Sequence, residues 1–248
     1  MLRMAGKVAV VTGGAGGIGS AICRGLAREG AHLVVGYRQG AERAEELVRS
    51  LPGERHAAMQ AAVDDSRSLA ALAAQVKERY GTVDVLVNNA GKTTPVPHAN
   101  MDDLHDELFD DILRTNVRGP FACTRALKAL LQGGGGGVVV NVSSIAGMTG
   151  IGSNVAYCAS KAAVNNMTIS LGRALAPHVR VVAVAPGWVQ GEYAKRADPA
   201  YLKEQTDKTP LARLCQAEDV AETVIAAATM MPFTTGAVIP VDGGRPFV

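Results

Sequence analysis

Lys7-Val8-Ala9-Val10-Val11-Thr12-Gly13-Gly14-Ala15-Gly16-Gly17-Ile18-Gly19 begins as a strand and ends as the first turn of a helix. A short β-branched run without polar alternation marks a strand covered on both faces. Residues 18–29 follow with helical spacing and stop at Gly30. The glycines between strand and helix permit a tight turn and a close approach of backbone to a ligand. The helix N-terminus behind them offers unpaired N–H groups and the positive end of its dipole, which suits a pyrophosphate. Two frames fit: Gly14, Gly16 and Gly19 match G-x-G-x-x-G, and Gly13, Gly17 and Gly19 match the looser G-x-x-x-G-x-G.

The alternation continues outward from this stretch. Strands are expected at 7–11, 32–35, 56–63, 83–87, 138–142, 179–184 and 237–241. Helices are expected at 18–29, 41–50, 67–80, 102–131, 155–176 and 217–228, the fourth bent near Gly119-Pro120. Gly133 to Gly137 reads as a flexible turn. Strict β-α alternation predicts parallel strands, right-handed crossovers and helices on both faces. The expected fold is therefore a single α/β doubly wound domain with a seven-stranded parallel sheet, spanning 1–248. The connection at 186–210, with its core at 188–210, reads as a long loop with helical patches and is longer than a structural link needs. It leaves the sheet at the carboxyl edge, where open α/β folds bind ligands.

Composition excludes several classes. Apolar residues make up 48% of the 248, enough for a large core, whereas a disordered chain would be apolar-poor. The net charge of +2 is too small and scattered for a nucleic-acid footprint. No apolar run approaches the ~20 residues of a membrane span, and no signal-peptide pattern stands at the N-terminus. Cys23, Cys123, Cys158 and Cys215 are isolated, as reduced cytoplasmic thiols would be. The five histidines lack ligand spacing, so no metal is expected.

The chemistry concentrates on one helical turn, Tyr157-Cys158-Ala159-Ser160-Lys161. Residues four apart share a helix face, so a phenol and an ammonium stand side by side. A fixed cation favours the phenolate and makes the hydroxyl a usable general acid/base. At the end of the second strand, Val34-Val35-Gly36-Tyr37-Arg38-Gln39 offers no carboxylate for ribose hydroxyls before Glu42. It offers Arg38, whose guanidinium suits a 2′-phosphate. This favours NADP and leaves NAD open.

Taken together, the Thr12–Gly19 loop, Asp64, Asn88-Asn89-Ala90-Gly91, Asn116, Ser144, Tyr157, Lys161, Pro186-Gly187 and Val241-Asp242-Gly243-Gly244 resemble the short-chain dehydrogenase/reductase pattern. The resemblance runs from Gly6 to Gly244 and lies nearest the 3-oxoacyl-[acyl-carrier-protein] reductase-like subgroup. It implies a Rossmann-type fold and hydride transfer between a nicotinamide cofactor and a ketone or secondary alcohol. It implies that Tyr157 exchanges a proton with the substrate oxygen, that Lys161 lowers its pKa and holds the nicotinamide ribose, and that Ser144 bonds the substrate oxygen. Asn116 would bend its helix and hold a water leading to Lys161. Gly13, Gly17, Ile18 and Gly19 would carry the pyrophosphate. Asp64 would accept from the adenine amino group, and Asn89 and Gly91 would line the adenosine side. Pro186 and Gly187 would lie against the nicotinamide, with Val189 near its carboxamide.

Three positions depart from that pattern. Gly16 stands where many NADP-dependent members carry Arg or Lys. Trp188-Val189-Gln190-Gly191-Glu192 lacks the usual Thr or Ser, and Val182 replaces a common asparagine. The segment 145–154 is small and mostly apolar, and Trp188 and Tyr193 are placed to close over the nicotinamide. A modest carbonyl or alcohol substrate is expected. Acyl carrier protein is the less favoured partner, because no arginine stands at Leu131-Gln132-Gly133 or Ala176-Pro177-His178. A dinucleotide-binding regulator without turnover is the alternative from another class; the Ser144-Tyr157-Lys161 set argues against it. The resemblance implies a homotetramer built on helices 102–131 and 155–176 and the tail 246–248.

Overall fold

The computed structural model describes residues 2–191 and 198–245. Tyr193 and the tail 246–248 lie outside them. Seven parallel strands form one sheet in the order β3-β2-β1-β4-β5-β6-β7. They are β1 (Val8–Val11), β2 (His32–Tyr37), β3 (Ala57–Gln60), β4 (Val85–Asn88), β5 (Gly137–Val142), β6 (Val179–Pro186) and β7 (Val238–Val241). The helices are α1 (Gly17–Arg28), α2 (Ala41–Ser50), α3 (Ser66–Tyr80), α4 (Asp106–Leu113), α5 (Gly119–Gln132), α6 (Ala146–Thr149), α7 (Val155–Leu175), α8 (Pro199–Asp207) and α9 (Ala217–Thr229).

The β-branched runs become strands because alternate residues feed two different cores. Ala9, Val11, Leu33, Val35, Val85 and Val87 pack against Ile22 and Leu26 of α1, Leu47 of α2 and Val224 of α9. Val10, Val34, Leu86 and Val139 face the other way, onto Leu72 of α3, Leu127 of α5 and Leu175 of α7. The doubly wound expectation is met.

Two expectations are corrected. The third strand ends at Gln60, not at 63. It is an edge strand paired only with β2, and β2 ends at Tyr37, whose carbonyl takes the last bond from Ala61 at 2.7 Å. The helix expected at 102–131 is broken into a 3₁₀ turn (Met101–Asp103), α4, a π-helical turn (Arg114–Arg118) and α5. The irregularity is thus centred on Asn116, ahead of Gly119-Pro120. The helical patch expected in the connection at 186–210 is α8, N-capped by Asp198.

The order of strands reverses between β1 and β4, and the chain is stitched there. Thr12 Oγ1 accepts from the backbone N–H groups of Asn89 and Ala90, both at 3.1 Å. The Asn89 amide donates to the carbonyls of Thr12 and Gly13 at 3.0 and 3.1 Å. The glycine loop is folded so tightly onto α1 that a Cβ at Gly19 would lie 2.3 Å from the Gly13 oxygen. A Cβ at Gly17 would meet nothing within 4 Å. We therefore expect Gly19→Ala to destabilise the protein by about 2–3 kcal/mol and lower its melting temperature by several degrees. Gly17→Ala should stay within about 1 kcal/mol of wild type. Thermal denaturation of both variants checks this; equal losses would refute the close approach as the reason for Gly19.

Candidate active site

A cavity of about 620 Å³ opens at the carboxyl edge of the sheet, over the β1/β4 switch point. It is lined by Gly13, Gly17, Ile18, Gly19, Arg38, Asp64, Asn89, Gly91 and Val189, all anticipated from the sequence. The N-terminus of α1 faces it with Gly16 as N-cap and no side chain capping the first N–H groups. Lys92, Arg43 and Thr115 also line it; Arg43 and Thr115 were not anticipated. The Thr115 hydroxyl is buried without a partner among the described residues. Asn89 lines the wall, but its amide braces the glycine loop.

At the adenosine end, the Arg38 guanidinium lies 3.0 Å from the Asp64 carboxylate. The sequence had given these two residues separate partners. Arg118 donates to the Asp64 backbone carbonyl. Near the other end, Lys92 pairs with Asp111, and that hydrogen bond holds the Asp111 carboxyl below the ordinary carboxylate range.

The catalytic candidates stand beyond Gly91. A Cβ placed there would lie 3.4 Å from Asn116 Oδ1 and 3.8 Å from Lys161 Nζ. Asn116 sits in the π-helical turn, where Gly119 N–H reaches back five residues to the Arg114 carbonyl. The wider turn lets its amide engage Lys92 on both sides. Oδ1 accepts from Lys92 N–H and Nδ2 donates to the Lys92 carbonyl, each at 2.9 Å. Nδ2 also reaches Ser160 Oγ at 3.1 Å. A single inserted residue in a helix often marks a functional position.

Tyr157 and Lys161 lie on the first two turns of α7. Asn154 caps that helix, accepting from Tyr157 N–H at 2.7 Å while donating to the Thr94 carbonyl at 2.7 Å. An asparagine directly before a helical run is a cap signal, so this residue was readable in advance. The Lys161 ammonium donates to the Val142 carbonyl at 2.8 Å and sits 5.6 Å from the centre of the Tyr157 ring. Burial pulls the lysine down to about 8. Burial also raises the Tyr157 phenol, and a side-chain hydrogen bond with Ser144 pulls it partly back. Desolvation is therefore the largest influence on the phenol here, and it acts against the phenolate.

Ser144 follows β5. Its hydroxyl lies 3.5 Å from the Pro186 carbonyl and accepts from Ala146 N–H at 3.2 Å. Ser143 is structural, as read: its hydroxyl donates to Asn165 Oδ1 at 2.6 Å. Between the two serines and α7 runs α6, so close that a Cβ at Gly147 would lie 2.5 Å from the Lys161 carbonyl carbon. This contact fixes the Ser144 segment against the catalytic helix. Sequence reasoning missed it, because nothing local to Gly147 announces a distant backbone. Pro186 and Gly187 stand beside Ser144 and Asp242 and do not line the cavity. Trp188 meets Tyr201 of α8 edge-on at 5.8 Å.

Comparison with known proteins gives one answer. The family model described as short chain dehydrogenase matches residues 7–201. The chain is 38% identical over 239 residues to the protein named as ketoacyl reductase 2 of the granaticin polyketide synthase of Streptomyces violaceoruber, covering 96% of this chain and 95% of that one. It is 35% identical over 247 residues to the 3α-hydroxysteroid dehydrogenase of Mediterraneibacter gnavus, covering 98% of both. A crystal structure of a short-chain dehydrogenase/reductase from Brucella melitensis superposes with a TM-score of 0.91 at 28% identity, covering 99% of this chain and 98% of that one. With the switch-point cavity and the Ser144, Tyr157 and Lys161 arrangement, these matches place the chain in the short-chain dehydrogenase/reductase family, as an oxidoreductase acting between alcohol and carbonyl with a nicotinamide cofactor.

Proposed function

We propose that the protein is an NADP(H)-preferring reductase of small, mostly apolar ketones, or the corresponding alcohol dehydrogenase, with Tyr157 as general acid/base. The observation that carries this reading is the buried Lys161 ammonium lying 5.6 Å from the centre of the Tyr157 ring, close behind Gly91 on the cavity wall. The residues fit a dinucleotide. The α1 N-terminus is uncapped, the space over Gly17 is open, and the buried Thr115 hydroxyl on the wall awaits a polar partner. Gly13, Gly17, Ile18 and Gly19 would hold the pyrophosphate, Arg38 the 2′-phosphate, and Asp64, Asn89 and Gly91 the adenosine. Pro186, Gly187 and Val189 would bound the nicotinamide. When bound, the cofactor supplies or accepts the hydride.

The chain's own residues handle the proton. Ser144 Oγ orients the substrate oxygen, and Tyr157 Oη gives or takes its proton. Lys161, about 8 by burial, is mostly protonated at neutral pH and stabilises the phenolate when it forms. Asn116 holds the backbone of Lys92, with its Oδ1 approaching Gly91 on the side that Lys161 also approaches. The names of the relatives span ketoacyl, hydroxysteroid and 3-oxoacyl-[acyl-carrier-protein] chemistry, which supports a ketone or secondary alcohol and does not select the acyl-carrier form. Four free thiols support a cytoplasmic setting. Exposed Phe121 on α5 and Val155 and Ile169 on α7 support a homotetramer, which light scattering would report as four chains of 25.7 kDa and a single-chain mass would refute.

NADPH oxidation with a carbonyl panel tests the mechanism. Tyr157→Phe should lower kcat by about a hundred- to ten-thousand-fold; wild-type rates would sink it. Arg38→Ala should weaken NADPH binding by about tenfold or more and NADH binding by less than about twofold. Equal effects on the two would remove Arg38 from the phosphate.

Lys161 links function to stability. Its fall from 10.5 to about 8 amounts to on the order of 3 kcal/mol against the folded state while the lysine is charged. Replacing it by methionine also strands the Val142 carbonyl, which costs about 1 kcal/mol. Cofactor-free Lys161→Met should therefore be more stable than wild type by about 1–2 kcal/mol at pH 7, although inactive. The unfolded lysine stays protonated up to about 10.5, whereas the folded one releases its proton near 8. The penalty is thus complete below about 8 and relieved as pH rises toward 10.5, so the advantage of the variant should shrink across that window. Urea denaturation of both proteins at pH 7 and pH 10 checks the sign.

A further inference from the structure

The guanidinium assigned above to the 2′-phosphate already holds an anion. Arg38 Nη2 and Asp64 Oδ2 are 3.0 Å apart, and both residues line the adenosine end of the cavity. The two partners are held unequally. The Arg38 side chain is 58% exposed and hangs from the end of β2, with its backbone carbonyl 3.4 Å from the Gln60 amide. The Asp64 side chain is 14% exposed, and Arg118 grips its backbone carbonyl. Asp64 is therefore the fixed member and Arg38 the one able to swing. Asp111 stands within the field of Arg38, but its own partner is Lys92.

We infer that Asp64 competes with the 2′-phosphate of the cofactor for Arg38. A phosphorylated dinucleotide must draw the guanidinium away from an internal carboxylate, while an unphosphorylated one leaves the pair intact. The phosphate wins because it presents more charge and more acceptor oxygens than a carboxylate. Its affinity is nevertheless reduced by the strength of the pair it replaces. A pair with one member this shielded is less screened than an ordinary surface pair. Asp64 thus moderates NADP(H) affinity and selectivity. The inference rests on the reading that Arg38 meets the 2′-phosphate.

Calorimetric titration of wild type, Asp64→Asn, Arg38→Ala and the double variant with adenosine 2′,5′-bisphosphate and with 5′-AMP tests it. These probes occupy the adenosine end without turnover. Asn keeps the shape of Asp64 and an acceptor oxygen for adenine, and melting curves confirm folding. Asp64→Asn should tighten the bisphosphate about threefold to tenfold and leave AMP within about twofold. The tightening should vanish when Arg38 is already alanine. Weakening of both probes, no change in either, or equal tightening with and without Arg38 would overturn the competition. A bisphosphate-over-AMP preference that survives Arg38→Ala would instead overturn the assignment of Arg38 to the phosphate, so the two failures are distinguishable.

Discussion

One buried cation organises the catalytic end of this molecule. Lys161 is 7% exposed, and its ammonium donates to the carbonyl of Val142 at the end of β5. An ammonium in such a place is unfavourable unless its surroundings hold it. Much of the nearby architecture does so. Asn154 starts α7 at a fixed point, the close contact at Gly147 presses α6 onto the Lys161 backbone, and Asn116 ties Ser160 to the segment after β4 that carries Gly91 and Lys92. A buried chain of polar groups extends the frame. Asn88 donates to Asn141 at 2.9 Å, and Asn141 donates to Thr168 of α7 at 2.9 Å, so β4, β5 and the catalytic helix move as one. The cation lowers stability where it sits, and the frame keeps it where a phenolate needs it.

The same logic explains the glycine loop. A loop that cradles a pyrophosphate must present N–H groups and exclude side chains, and such a loop is conformationally loose by composition. Here it is tightened from two sides. Thr12 and Asn89 join the carboxyl ends of β1 and β4 through four hydrogen bonds, and Gly19 lets α1 close on the Gly13 carbonyl. Gly17 then remains with open space above it. The tight packing is on the protein side and the vacancy for a ligand on the other, which is how one glycine-rich turn can be both ordered and accessible.

The layout of the fold was legible because it depends on local patterns. Residues 7–11, 83–87 and 138–142 are β-branched runs that can only be central strands, and the glycine loop and the Tyr157–Lys161 spacing are short-range features. What was not legible depends on distant neighbours. The third strand ends early because its only partner, β2, ends first. The break in the fourth helix sits at Asn116, where a side chain captures the backbone of Lys92 from another element, and not at the glycine-proline pair that looks like the breaker. Spacing placed the Tyr157 and Lys161 side chains together but could not report their burial, which is the largest influence on both groups. Arg38 and Asp64 were each readable from the strand ends they follow, yet their pairing arises only from the β2-β3 register.

Charge is therefore held in opposite ways at two places. At Lys161, behind Gly91, the ammonium is buried and donates to a backbone carbonyl that cannot titrate or leave. On the proposed mechanism, displacement of even an ångström there would disturb proton transfer, so immobility is worth its energetic penalty. At Arg38, on the cavity wall, the guanidinium is exposed and its partner is a side chain, so the pairing can be exchanged. On the proposed assignment of Arg38 to the cofactor, binding and release use that reversibility, since a cofactor held by an immovable cation would leave slowly. A fixed cation and an exchangeable one can coexist because they sit apart, one behind Gly91 and the other just past the end of β2.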